Sequence, residues 1–141
     1  MYLADRYLVS ETRQGGTLGA CEDKICSQNG EDGIIREIFR RIGTTNKFFV
    51  EFGVQNGLEC NTAHLAAHRH WAGLLIEANA GLYRQLEMVH EILSRITGEK
   101  RVKLANELVN AENISRIFKD NDVPGVFDLL SVDIDGNDYW V

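Results

Sequence analysis

Residues 47–57 read KFFVEFGVQNG, and the fold turns on how this stretch is taken. Lys47 to Gly53 is a short apolar run rich in β-formers, the composition of a buried strand. It leads straight into a loop, Glu51 to Gly57, whose glycines allow a close backbone approach. Beyond it, residues 61–70 have helical character, and Ala72 to Glu77, AGLLIE, repeats the strand pattern. Leu82, Leu86, Val89, Leu93 and Ile96 then share one helical stripe. Val102 to Val109 reads as a third strand, Ile114 to Lys119 as a short helix and Phe127 to Ile134 as a fourth strand, with Pro124 in the turn before it. Upstream, Ile34, Ile35, Ile38, Phe39 and Ile42 define an amphipathic helix with acids in its first turn and Arg40-Arg41 in its last. Ser27 or Asn29 is the expected N-cap and Gly43 the expected C-cap.

Working outward, the order is β-α-β-α-β-α-β. Right-handed crossovers then give an α/β domain with a mostly parallel sheet covered by helices. Ligands of such sheets bind beyond the carboxyl ends of the strands, where strand order reverses. That places the candidate site at Glu51 to Gly57, Glu77, Asn106 to Asn110 and Asp133 to Asp138. Residues 1–26 have weak periodicity and are expected to form a loosely ordered arm, leaving 27–141 as the domain.

Composition narrows the function. The chain has 141 residues, with 21 Asp and Glu against 15 Lys and Arg, for a net charge of −6. Its basic residues are scattered, which disfavours nucleic acid as a partner. No signal peptide is visible and no 18-residue apolar stretch occurs, so a cytoplasmic protein with no membrane partner is expected. Cys21, Cys26 and Cys60 form no C-x-x-C pair and are read as reduced thiols. Cys60, His64 and His68 recur every four residues, a spacing that suits a metal. No metal site is assigned, because the sequence supplies neither a fourth ligand nor supporting partners.

The strand-end residues suggest a nucleoside ligand. Glu77 at the end of a strand suits a carboxylate that accepts from both ribose hydroxyls. A pyrophosphate would call for G-x-G-x-x-G, whereas Gln55 stands in this loop and Glu51 would repel phosphate. A ligand with an ammonium group, a sulfonium and a ribose fits better, and S-adenosylmethionine has all three.

Ser27-Gln28-Asn29-Gly30-Glu31-Asp32-Gly33, then FFVEFGVQNG, GLLIEAN and DLLSVDIDGNDYW, taken in order, resemble the FkbM-type class I S-adenosylmethionine-dependent methyltransferases, in the branch with an S-Q-x-G-E-D signature. The resemblance implies a Rossmann-like methyltransferase fold and methyl transfer to a hydroxyl of a sugar, glycan or secondary metabolite. It implies that Glu51, Gly53 and Gly57 line the methionine end, that Glu77 holds the ribose, that Asp133 lies beside the methyl donor, and that Gln28 belongs to a polar gate over the cofactor. Gln55 departs from the commoner E/D-x-G-x-G-x-G loop. Such domains have about seven strands, so 27–141 is expected to be the N-terminal, cofactor-binding part of one, with a fourth-strand edge open to homodimerisation.

For the chemistry, one of Asp133, Asp135 and Asp138 acts as base, or two of them hold Mg²⁺ that acidifies the acceptor hydroxyl. An EF-hand is excluded. Asp138 stands where its loop requires glycine, and a strand rather than a helix precedes it. The rival from another class is a nucleotide- or ligand-binding Rossmann-like domain without catalysis.

Overall fold

A computed structural model describes residues 16–134. Its elements are α1 (Glu31–Ile42), β1 (Phe48–Phe52), α2 (Ala63–His68), β2 (Ala72–Ile76), α3 (Ala80–Thr97), β3 (Val102–Ala105), α4 (Ile114–Asp120) and β4 (Leu129–Val132), preceded by a 3₁₀ turn at Leu18–Cys21. The four strands form one parallel sheet in the order β3-β2-β1-β4. The expected α/β architecture is therefore present, as part of a Rossmann-like arrangement.

Strand alternation sorts the core into two layers. Phe49, Leu75, Leu86 and Trp71 pack with Ile35 and Phe39 of α1 and Ala63 and Ala66 of α2. Val50, Phe52, Leu74 and Ile76 face the other way, onto Ile114, Ile117 and Phe118 of α4. This division follows from crossover handedness. The steps from β1 to β2 to β3 advance in one direction, with α2 and α3 on one face; the return to β4, beyond β1, puts α4 on the opposite face. Strand order thus reverses between β1 and β4.

Several boundaries differ from expectation for local reasons. β3 stops at Ala105 instead of Val109, because the Asn106 side chain turns back and donates to the carbonyls of Glu77 (2.7 Å) and Ala78 (3.2 Å). β4 begins at Leu129 and ends at Val132, inside the expected run. α3 starts at Ala80 because Asn79 Oδ1 accepts from the amides of Gly81 and Leu82. Its expected apolar stripe is only partly used: Leu86 is fully buried, whereas Ile96 is 75% exposed. On β4, the edge away from β1 has no strand partner among the described residues, and Leu130 there is exposed.

The start of α1 bears out the capping expectation for the Ser27 side chain and shifts the N-cap position itself. Gly30, in the left-handed region at φ 99°, takes the N-cap position, and Asn29 makes no side-chain cap. Ser27 Oγ instead accepts from the Asp32 amide, while Asp32 Oδ2 accepts from the amides of Ile25 (2.9 Å), Cys26 (2.6 Å) and Ser27 (2.8 Å). These reciprocal bonds tie residues 25–27 to the helix and fix the approach to Gln28. Gly43 ends α1 as expected, its N–H donating to the Phe39 carbonyl.

Candidate functional site

At the reversal point the ends of β1, β2 and β4 are laced together. The Gly53 amide donates to Ile76 O (3.0 Å), and the Asp133 amide donates to Phe52 O (3.3 Å). Gly53 sits at φ +73°, and a Cβ there would lie 1.7 Å from the Asp133 carbonyl oxygen. Only glycine allows β4 to close onto this turn. Gly57 has a different neighbour: at φ +76°, a Cβ would lie 2.4 Å from Leu86 Cδ1. It packs the loop against α3 and borders neither cavity at the strand ends.

Two buried glutamates mark the ends of β1 and β2. Glu51, 1% exposed, accepts from the Asn61 amide (3.0 Å) and Ser131 Oγ (3.0 Å) on Oε1, and from the Thr62 amide (2.9 Å) and Thr62 Oγ1 (2.6 Å) on Oε2. A carboxylate offers about four lone-pair sites, so Glu51 is saturated by its own protein. Glu77, 6% exposed, accepts two hydrogen bonds among the described residues: the Gln55 amide on Oε2 and the Asn79 amide on Oε1, both at 2.8 Å. One acceptor position remains on each oxygen. Gln55 reaches this contact through a left-handed backbone (φ 53°), the conformation that the missing central glycine of the commoner loop would adopt with ease.

Two cavities open at these strand ends. One, of about 390 Å³, is bordered by Glu51, Glu31, Glu59 and Asn56; the other, of about 410 Å³, is bordered by Glu77, Ala78, Leu82 and Glu107. Gln28, Gly53, Gln55 and Asp133 border both. Sequence reasoning had singled out Gln28, Glu51, Gly53, Glu77 and Asp133, and the fold brings all five to this double cavity. Asp135 and Asp138 lie outside the described residues.

The electrostatic character of the double cavity is one-sided. Glu31, Glu51, Glu59, Glu77, Glu107 and Asp133 border it, and no Lys, Arg or His does among the described residues. Such a lining attracts cationic groups and repels phosphate.

Sequence reasoning missed the groups that saturate Glu51. Ser131 was legible in principle: it is a polar residue inside an apolar strand, and in the parallel register it stands opposite Glu51. Thr62 and Asn61 reach Glu51 through the path of a loop, which no periodicity reports. The Cys60, His64, His68 stripe does not assemble as spaced. The Cys60 thiol turns to Gly57 O and Thr62 Oγ1, and burial, with the charge of Glu51 adding to it, pushes its pKa far above the ordinary thiol range.

No protein-family model matches the chain, and neither a curated protein nor a solved structure gives a significant match. No described helix is long and apolar enough to cross a membrane.

Proposed function

We propose that the chain forms the cofactor-binding part of an S-adenosylmethionine-dependent methyltransferase that acts on a hydroxyl of a sugar, glycan or secondary metabolite. The observation that carries this reading is the acidic, cation-free lining of a cavity pair at the strand-order reversal, with a buried glutamate that keeps acceptor capacity. A sulfonium and an ammonium are favoured there, and a pyrophosphate is not. When bound, S-adenosylmethionine supplies an electrophilic methyl group.

The chain's own residues do the rest. Glu77 accepts from the two ribose hydroxyls with the lone pairs that Gln55 and Asn79 leave over. Glu51 adds negative charge but has no free acceptor position, so it attracts the cationic end without a direct hydrogen bond. Gln28, held in place through Ser27 and Asp32, covers the junction of the two cavities. Transfer to oxygen requires loss of the acceptor's proton, and Asp133, exposed at the end of β4 and shared by both cavities, is the described carboxylate that takes it. Of the carboxylates that would hold Mg²⁺ in the alternative scheme, only Asp133 is described. Copies pair through the edge of β4 that has no strand partner among the described residues, which sedimentation velocity would report as a dimer.

Calorimetry with S-adenosylhomocysteine and with NAD tests the reading. The purified chain binds the first and not the second, and Glu77→Ala weakens binding at least about tenfold. A preference for NAD, or no binding of either ligand, overturns it.

A further inference from the structure

Away from the strand-end cavities, a second cluster of ligand-type side chains lies between the N-terminal arm and α2. His64 and His68 are one helical turn apart and share a face, with ring centroids 5.3 Å apart. Cys26 comes to this face from the arm. Its sulfur and one nitrogen of each histidine all lie within 4.8 Å of one another. The helix therefore keeps two members of the stripe seen in the sequence and exchanges Cys60 for Cys26.

Zinc bound tetrahedrally, at about 2.3 Å to sulfur and about 2.0–2.1 Å to nitrogen, sets ligand atoms roughly 3.3–3.6 Å apart. Closing the triad from edges of up to 4.8 Å requires a contraction of at most about 1.5 Å. His68 is exposed in the last turn of α2 and Cys26 is half-buried in a loop, so both have room to move.

A second observation points to a cation. Asp32 is 2% exposed; its Oδ2 takes three loop amides, among them that of Cys26, yet its buried Oδ1 has no hydrogen-bond partner among the described residues. The carboxylate is close enough to act electrostatically on both Cys26 and His64. A buried carboxylate oxygen without a donor is costly, and a neighbouring divalent ion offsets that cost.

We propose that Cys26, His64 and His68 supply three of the four ligands of a tetrahedral zinc site, with water in the fourth position and Asp32 as its buried charge partner. One thiolate with two imidazoles suits a borderline-soft d¹⁰ ion rather than magnesium or calcium. The ion pins residues 25–28 to α2 and so sets Gln28 over the double cavity. This role is structural and stands apart from the proposed methyl transfer.

The test uses the full, untagged chain, reduced and stripped with a chelator, and titrated with zinc by calorimetry and with cobalt by absorption. One equivalent binds, cobalt gives a thiolate charge-transfer band, and zinc raises the melting temperature. His68→Ala and Cys26→Ser each weaken zinc by at least about tenfold, and the Cys26 variant loses the band. His70→Ala and Cys21→Ser, which alter residues outside the triad, leave both readouts unchanged. Absence of the cobalt band in the unaltered chain, or zinc affinity unchanged in both triad variants, overturns the proposal.

Discussion

The ends of β1 and β2 carry the same residue, in both cases buried, and yet Glu51 and Glu77 are bonded very differently. Four internal donors surround Glu51, drawn from the loop before α2 and from β4. Two amides reach Glu77, and a cavity lies beyond it. Burial alone does not separate a structural carboxylate from a ligand-binding one. What separates them is whether the protein has used up the lone pairs.

Mutations can break this distinction. Glu51→Ala strips the partner from four donors at once and is expected to cost about 3–5 kcal/mol, read from urea denaturation. A loss below about 1 kcal/mol would refute the claim that Glu51 is saturated structurally. Gly53→Ala, which forces a Cβ against the Asp133 carbonyl at positive φ, is expected to cost about 2–3 kcal/mol and to loosen β4, seen as lost amide-exchange protection at Asp133. Glu77→Ala should cost only about 1–2 kcal/mol of stability, with at least a tenfold loss of S-adenosylhomocysteine affinity, about 1.4 kcal/mol or more. Equal stability losses in the two glutamate variants would erase the distinction.

Asp128 sharpens the comparison from the opposite end of the sheet. Its carboxylate accepts from the amides of Thr45, Asn46 and Lys47, as many amides as Asp32 holds, but these bonds are open to solvent. Desolvation raises its pKa, the amides of Thr45, Lys47 and Asn46 lower it, and the balance lies below the usual carboxylate range. A folded pKa below the unfolded one means that the contribution is present above the unfolded value and fades as pH falls through the folded one. Asp128→Asn should therefore reduce the urea midpoint slightly near pH 7 and leave it unchanged in strong acid. The smallest effect expected is chemical: Cys60 resists iodoacetamide at pH 8 in the folded chain while Cys21 reacts, because its buried thiol stays protonated.

The sequence made some of this legible and hid the rest for physical reasons. Apolar runs such as FFVEF and AGLLI announce buried parallel strands, since both faces are covered, and the glycine turn and strand-end glutamates follow from where those strands stop. Pairing between distant segments leaves no such trace. Ser131 meets Glu51 only through the register of β4 on β1, and Cys26 meets α2 only because Asp32 gathers the amides of residues 25–27. The end of β3 was misplaced because Asn106, a single side chain, outcompetes the ladder that Glu107 to Val109 would otherwise extend.

The bond from Ser131 to Glu51 joins residues 80 positions apart. Contacts of that span form late, because the entropy of closing the loop must be overcome before anything is gained. The helical crossovers from β1 to β2 and from β2 to β3 pair residues closer in sequence, such as Phe48 with Ala72 and Gly73 with Val102, and cost less to close. Among the described strands, β4 is therefore expected to dock after β2 and β3, so the cavity pair that it borders is completed later than the rest of the sheet.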